Sequence, residues 1–200
     1  MSQSHPSDPA SRSVEVSMQD EFTPEERAIL LRLAHEAIES ALEHRELSTV
    51  ASTSHLAELR GAFTTLYLAG NLRGCVGYVF PVSPLYKTIA ETARAAAFDD
   101  PRFSPVTREE AKHLTISLSI LSSLSTITPD EIVIGKHGLV ISFGGHKGLL
   151  LPQVPVEHGW DRIIFLEHTC RKAGLPAEAW QKGATIQAFT AEVFGESEQM

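Results

Sequence analysis

The sequence predicts an α+β fold, mostly antiparallel sheet with flanking helices. Three observations carry that prediction. The segment "FTPEERAILLRLAHEAIESALEH" (Phe22 to His44) repeats apolar residues at three- and four-residue steps, the period of a helix with one buried stripe. Farther on, "LTISLSIL" (Leu114 to Leu121) alternates apolar and hydroxyl-bearing residues, the period of a strand with one buried face. Between other apolar runs stand the turn signals "AGN" and "GGHKG", which join neighbouring strands as hairpins and so make antiparallel pairs.

At 200 residues, with 42% hydrophobic and 21% charged content, the chain is long enough to bury a full core and lies in the usual range of one domain. Residues 21–200 are assigned to that domain. The opening "MSQSHPSDPASRSVEVSMQD" is rich in Ser and Pro and has no signal-peptide apolar stretch, so residues 1–20 read as a disordered tail. A net charge of −8 and a pI near 5.6 oppose the clustered Lys and Arg that a nucleic-acid partner needs. No apolar run approaches the roughly 20 residues of a bilayer span, so no membrane association is expected. Two cysteines, Cys75 and Cys170, make no disulfide framework, and free thiols imply a reducing, cytoplasmic setting.

The first helix opens with Thr23 as cap, Pro24 at the first helical position and Glu26 completing a capping box. His35 and Glu36 stand outside its apolar stripe and read as a solvated face. From Ala62 to Tyr78, two β-like runs flank "AGN". A two-residue loop of Gly70 and Asn71 would set Cys75 opposite Leu66. A three-residue loop, with Asn71 left-handed, instead pairs Leu68 with Leu72 and gathers Leu66, Leu68, Leu72 and Val76 on one face. Since a slip of one residue inverts every side chain, the register that collects the leucines is expected. Arg73 and Cys75 then face away with Thr65 and Tyr67.

"SPLYKTIAETARAAAF" reads as a closely packing helix with Ser83 as cap and Pro84 in its first turn. It stops at "DDPRF", because Pro101 disfavours helical geometry in Asp100, and Asp99, Asp100 and Arg102 fall into one turn. Between Ile132 and Gln153, the turns "GKHG" and "GGHKG" separate short apolar runs that read as consecutive antiparallel strands. After the loop "VPVEHGW", the run "DRIIFLEHTCRKAGL" suits a helix stopped by Gly174. "PAEAWQ" reads as a short helical turn and "ATIQAFTAEVF" as a last strand. No repeat or long linker divides the chain.

The chemistry concentrates in "GNLRGCVGY" (Gly70 to Tyr78). Residues two apart on a strand share a face, so Arg73 and Cys75 are expected to emerge together. A guanidinium beside a thiol favours the nucleophilic thiolate, and Gly77, next on that face, leaves room for a ligand. The packing reading stays open beside this one: Cys75 fills a gap, Gly74 and Gly77 admit a neighbouring helix, and Arg73 pairs with Asp99 or Asp100. A thiol catalyst needs a base, and His113, His137, His146, His158 and His168 qualify by type, though spacing selects none. His146, in a glycine-rich turn, and His158, in a loop, are the two best placed to reach a mouth. No histidine pair has metal-ligand spacing on a helix and no Cys-x-x-Cys occurs, so neither a metal nor a cofactor is expected. "FGGHKGLLL" leads into a strand-like run and lacks the helix of a P-loop, and Trp160 and Trp180 read as packing residues.

A set of motifs extends along most of the chain: "GAFTTL" at Gly61, "LRGCVG" at Leu72, "AAFDDPRFSPVT" at Ala96, "GKHGLVI" at Gly135, "GLLLPQV" at Gly148 and "TCRKAGL" at Thr169. With these, the sequence from about Glu25 to Glu196 resembles the AMMECR family, whose bacterial and archaeal members are called AmmeMemoRadiSam system protein A. The family hexapeptide Leu-Arg-Gly-Cys-Ile-Gly stands here with Val76 for isoleucine, a loss of one methylene. The resemblance implies an α+β fold of a larger and a smaller lobe. It implies no established reaction; members of the family are linked by gene neighbourhood and sometimes fusion with Memo-like proteins of dioxygenase fold and with radical-SAM proteins, which the resemblance makes the expected partners.

Together these readings give a cleft around the Leu72 to Gly77 motif. Arg73, Gly74 and Gly77 line it with Asp100, Arg102, Pro152 and Gln153, and Cys75 is the candidate nucleophile. The cleft would bind a small molecule or carry Cys-dependent chemistry. The rival reading is a non-catalytic module that docks a Memo-like or radical-SAM protein through the same surface.

Overall fold

A computed structural model describes residues 21–48 and 51–196, so the tail read at residues 1–20 lies outside the described residues. The first helix, α1 (Pro24–Glu43), starts as its caps require: the Thr23 hydroxyl accepts from the Glu26 N–H, and the Glu26 carboxylate accepts from the Thr23 N–H. Its stripe of Leu30, Ala34, Ala37 and Ile38 is buried. The hairpin β1 (Ala62–Leu68) and β2 (Asn71–Tyr78) follows, then α2 (Leu85–Phe98), a single turn α3 (Arg108–Ala111) and β3 (Leu114–Leu121). Next come the short β4 (Ser125–Thr126), the hairpin β5 (Gly138–Phe143) and β6 (His146–Leu150), α4 (Gln153–Glu157) and α5 (Arg162–Lys172), and finally β7 (Thr185–Phe189) and β8 (Ala191–Gly195).

The strands form two four-stranded antiparallel sheets, ordered β2-β1-β3-β8 and β4-β7-β5-β6. The larger lobe packs α1 and α2 on one face of the first sheet, where Leu66, Ile116, Leu118 and Ile120 meet Ala37, Ile38, Ile89 and Ala93. In the smaller lobe, Leu139, Ile141 and Ile186 of the second sheet enclose Phe165, Leu166 and Cys170 of α5. A third cluster holds Leu121, Val140 and Phe189, with Phe63, Val79, Leu149 and Leu151 packed against it, and it seals one end of the first sheet's outer face to the second sheet. The rest of that outer face carries Thr65, Tyr67, Thr115, Ser117 and Ser119, all half-buried.

Four details depart from the sequence reading. Ser83 does not cap α2; Pro84 holds the cap position with no side-chain bond, and the Ser83 carbonyl accepts from the Thr88 hydroxyl. The Ile132 run forms no strand, and a single helical turn at Pro129–Glu131 precedes it. Part of "VPVEHGW" is helical, as α4. The last segment is two strands, because the chain changes sheets at Thr190, where the Thr190 N–H donates to the Ser122 hydroxyl and the Ser122 N–H to the Thr190 carbonyl.

Candidate functional site

The site begins at the β1–β2 turn. Ala69 and Gly70 both have positive φ, 49° and 73°, as a two-residue turn that follows the natural strand twist demands. Leu68 therefore pairs with Asn71 and Tyr67 with Leu72, after which the register shifts so that Leu66 faces Gly74 and Thr65 faces Cys75. Arg73 is the extra residue, a β-bulge. The expected three-residue loop is thus a two-residue turn followed by a bulge. Both arrangements give Cys75 the same partner, but the bulge breaks the two-residue alternation at Arg73, and bulges re-aim side chains. Asn71 is not the left-handed residue; its amide donates to the Ala69 carbonyl and closes the turn.

The Arg73 guanidinium reaches α3. Its Nε and Nη2 bond the two oxygens of Glu110 at 3.0 and 3.2 Å, and it lies over the Phe103 ring. Glu110, neither of the aspartates considered, is the partner. Arg73 first, and the Thr107 N–H second, pull the Glu110 carboxyl down to about 2. Arg73 Nη1 is buried and has no hydrogen-bond partner among the described residues.

Asp100 and Arg102 act on the other side of Cys75. Strand β2 is an edge strand, and an edge leaves peptide groups unpaired. Here the Cys75 N–H donates to Asp100 Oδ2 at 2.9 Å, and Arg102 Nη2 donates to the Cys75 carbonyl at 3.3 Å. Arg102 also grips Asp100 through Nε, Nη2 and its own N–H. Those bonds, Arg102 foremost and the Cys75 N–H next, hold the Asp100 carboxyl far below the usual carboxylate range. The turn predicted at "DDPRF" therefore clasps the backbone of Cys75 much as a neighbouring strand would.

The glycines have structural occupants. A methyl added at Gly74 would stand 2.1 Å from the Ala96 carbonyl oxygen, since α2 lies directly on the strand. One added at Gly77 would stand 2.2 Å from the Phe63 ring, which covers that position from the opposite strand. Cys75 itself is half-buried, and the Thr65 hydroxyl donates to its sulfur at 3.3 Å.

Pro152 and Gln153 belong to the other lobe. Pro152 is buried at the start of α4, and Gln153 is exposed. They follow Leu151, which shares an apolar cluster with Phe63, and neither hydrogen-bonds the Cys75 group. Among the described residues no histidine bonds Cys75. His146 is exposed at the β5–β6 turn, and His158 stacks on Trp160, which stacks in turn on His168. Also among the described residues, no group of three or more His, Cys, Asp or Glu is placed to hold a metal ion, and no helix is long and apolar enough to cross a membrane.

Sequence reasoning missed Phe63, Phe103 and Glu110. For Glu110 a signal existed: "TREE" is a capping-box pattern, Thr107 with Glu110 three residues on, and the structure forms that box.

The AMMECR1 family model matches residues 31–194. The chain belongs to the AMMECR1 family. A Methanopyrus kandleri protein is 43% identical over 193 residues, covering 90% of this chain and 93% of that relative. An Aquifex aeolicus protein is 41% identical over 179 residues, covering 84% and 92%. Among solved structures, an uncharacterised Pyrococcus horikoshii protein is 40% identical with a TM-score of 0.66, covering 84% of this chain and 90% of that one. The matched residues span the motifs noted above, among them the Cys75 hexapeptide and the Asp100–Arg102 turn. The function of the family is not known.

Proposed function

We propose that this AMMECR1-family chain is a cytoplasmic small-molecule-binding protein in which the Cys75 thiol is the group that meets the ligand. The observation that supports this most is the support built around one half-buried cysteine. Its N–H is held by Asp100 and its carbonyl by Arg102, and its sulfur receives the Thr65 hydroxyl. Fixing the backbone of a reactive group removes the entropy of aiming it. In this reading Arg73, Gly74 and Gly77 shape the ribbon, the first by its bond to α3 and the glycines by close packing, while Pro152 and Gln153 form the far wall on the smaller lobe. A reducing compartment keeps both thiols free.

The test is the rate at which iodoacetamide alkylates Cys75 in the folded protein, compared with a neutral cysteine amide at the same pH. A rate at or above that of the free thiol is expected, with Cys75→Ser removing the modification. A folded protein whose Cys75 resists alkylation for hours would end this reading.

A second reading has its own support. Leu72, Tyr78, Phe80 and Val82, on β2 and the loop after it, are large apolar residues left exposed, and such strips mark contact surfaces. This reading makes the same ribbon a docking face for a Memo-like or radical-SAM protein. Replacing Phe80 and Val82 with serine would abolish co-purification with such a partner and leave Cys75 alkylation unchanged.

A further inference from the structure

Two arginine–carboxylate pairs flank β2 near Cys75, and they are turned opposite ways. In the pair of Arg73 with Glu110 the guanidinium is the more buried member, its side chain 11% exposed against 27% for the carboxylate. In the pair of Arg102 with Asp100 the order reverses, with the carboxylate side chain 3% exposed and the guanidinium 54%. Both Asp100 oxygens are consumed inward, by the Cys75 N–H and by Arg102 itself. Solvent beside Cys75 therefore meets the cation, with its counter-charge beneath.

The exposed guanidinium is also held in place. Nε and Nη2 are engaged by Asp100, Nη2 touches the Cys75 carbonyl at 3.3 Å, and the group lies over the Phe103 ring, 5.4 Å from its centroid. Among the described residues Nη1 has no hydrogen-bond partner. With Nε–H and Nη2 engaged, the Nη1 hydrogens remain as donors on a group already held on one edge and one face, and a charged N–H donor suits a carboxylate or phosphate oxygen. A single cation already shared with Asp100 suits a monoanion better than a phosphate dianion, which collects several cations.

We infer that the small molecule met by Cys75 carries a carboxylate, which accepts from Nη1 of Arg102 while the reacting or contacting part of the molecule reaches the sulfur. This rests on the proposed role of Cys75. It assigns ligand recognition to Arg102 and withholds it from Arg73, whose charge is spent on Glu110 inside the fold. The protein as a whole, at net charge −8, repels anions, so any preference for them at Cys75 is local.

The experiment compares alkylation of Cys75 by iodoacetate and by iodoacetamide in the full-length protein, with the site read by mass spectrometry. In both reactions the sulfur–carbon bond forms as iodide leaves, so the two reagents differ only in the charge delivered. The iodoacetate-to-iodoacetamide rate ratio, divided by the same ratio for a neutral cysteine amide, is expected to exceed one by about three- to tenfold and to shrink as salt is added. Arg102→Gln should return it to one, and Arg102→Lys should restore part of it. Acetate should slow the iodoacetate reaction more than inorganic phosphate does at matched ionic strength.

A normalised ratio of one or less with brisk alkylation by iodoacetamide overturns the carboxylate inference and leaves the thiol reading standing. So does a raised ratio that survives Arg102→Gln. Stronger protection by phosphate overturns the choice of carboxylate. Resistance of Cys75 to both reagents removes the thiol reading, and this inference with it. Should Arg102→Gln fail to fold, the ratio in the unaltered protein and its salt dependence decide the matter.

Discussion

Cys75 and Cys170 are the protein's two thiols, and they differ in the kind of group that surrounds each. Cys170 sits on α5, 0% exposed, among Phe165, Leu166 and Ile186, and burial pushes its thiol pKa up. Cys75 sits on an edge strand, half-buried, with the Thr65 hydroxyl on its sulfur and the Asp100–Arg102 clasp on its peptide. A helix position inside an apolar stripe is enclosed by the packing that makes the helix stable. An edge-strand position keeps an open side, and polar groups must manage its unpaired backbone. The lesson is that the same side chain becomes filler or candidate chemistry according to the element that carries it.

The largest effect that could break this contrast is kinetic. In the folded protein iodoacetamide should modify Cys75 at least about a thousandfold faster than Cys170, which reacts only through opening of the smaller lobe; peptide mapping over time measures both, and comparable rates would erase the distinction. Next comes Gly74→Ala, expected to destabilise the protein by about 3 kcal/mol in urea denaturation, because the added methyl meets the backbone of α2 and no side chain can swing aside. A loss under about 0.5 kcal/mol would show that the strand can lift away from the helix.

Smaller again is the pair of thiol deletions. Cys170→Ala should cost about 1–2 kcal/mol through the cavity it leaves, whereas Cys75→Ala should stay within about 0.5 kcal/mol. Equal costs would place both sulfurs in packed core. The smallest effect is a pH dependence from the Arg73 pair. The Glu110 carboxyl is lowered from 4.5 to about 2 in the folded protein, so the unfolded chain binds more protons between those values. Its stabilisation is complete above about pH 4.5 and is lost as the pH falls through about 2. Glu110→Gln should flatten the stability profile in that window, and an unchanged profile would show that the pair does not couple to folding.

Much of the fold was legible because its signals are local. The Thr23 box, the alternation of "LTISLSIL" and the stop at Gly174 each depend on a few consecutive residues, and each appears as read. The failures share a different origin. "ATIQAFTAEVF" contains no Gly or Pro to break it, and only the positions of β3 and β5 divide it between two sheets. The bulge at Arg73 leaves no local mark either, since it depends on how β2 settles against β1 and on Glu110 drawing the guanidinium away. At the candidate site the residue types were legible, with Cys75, Asp100 and Arg102 singled out. Their relation was not, because Asp100 and Arg102 serve the peptide of Cys75 before any ligand.

By itself the sequence determined most of the elements, the antiparallel hairpins and the motifs on which the family resemblance rests, and it singled out the ribbon that carries Arg73 and Cys75. Burial along one element imposes a period on its own residues, and a period can be read without knowing the neighbours. Only the tertiary structure decided what fills the space at Gly74 and Gly77 and which arginine faces outward beside the thiol. Those outcomes depend on contacts between segments far apart in the chain, Cys75 with Arg102 at a separation of 27 residues and Arg73 with Glu110 at 37. A close contact or an ion pair is set by distance in space, which sequence spacing does not encode.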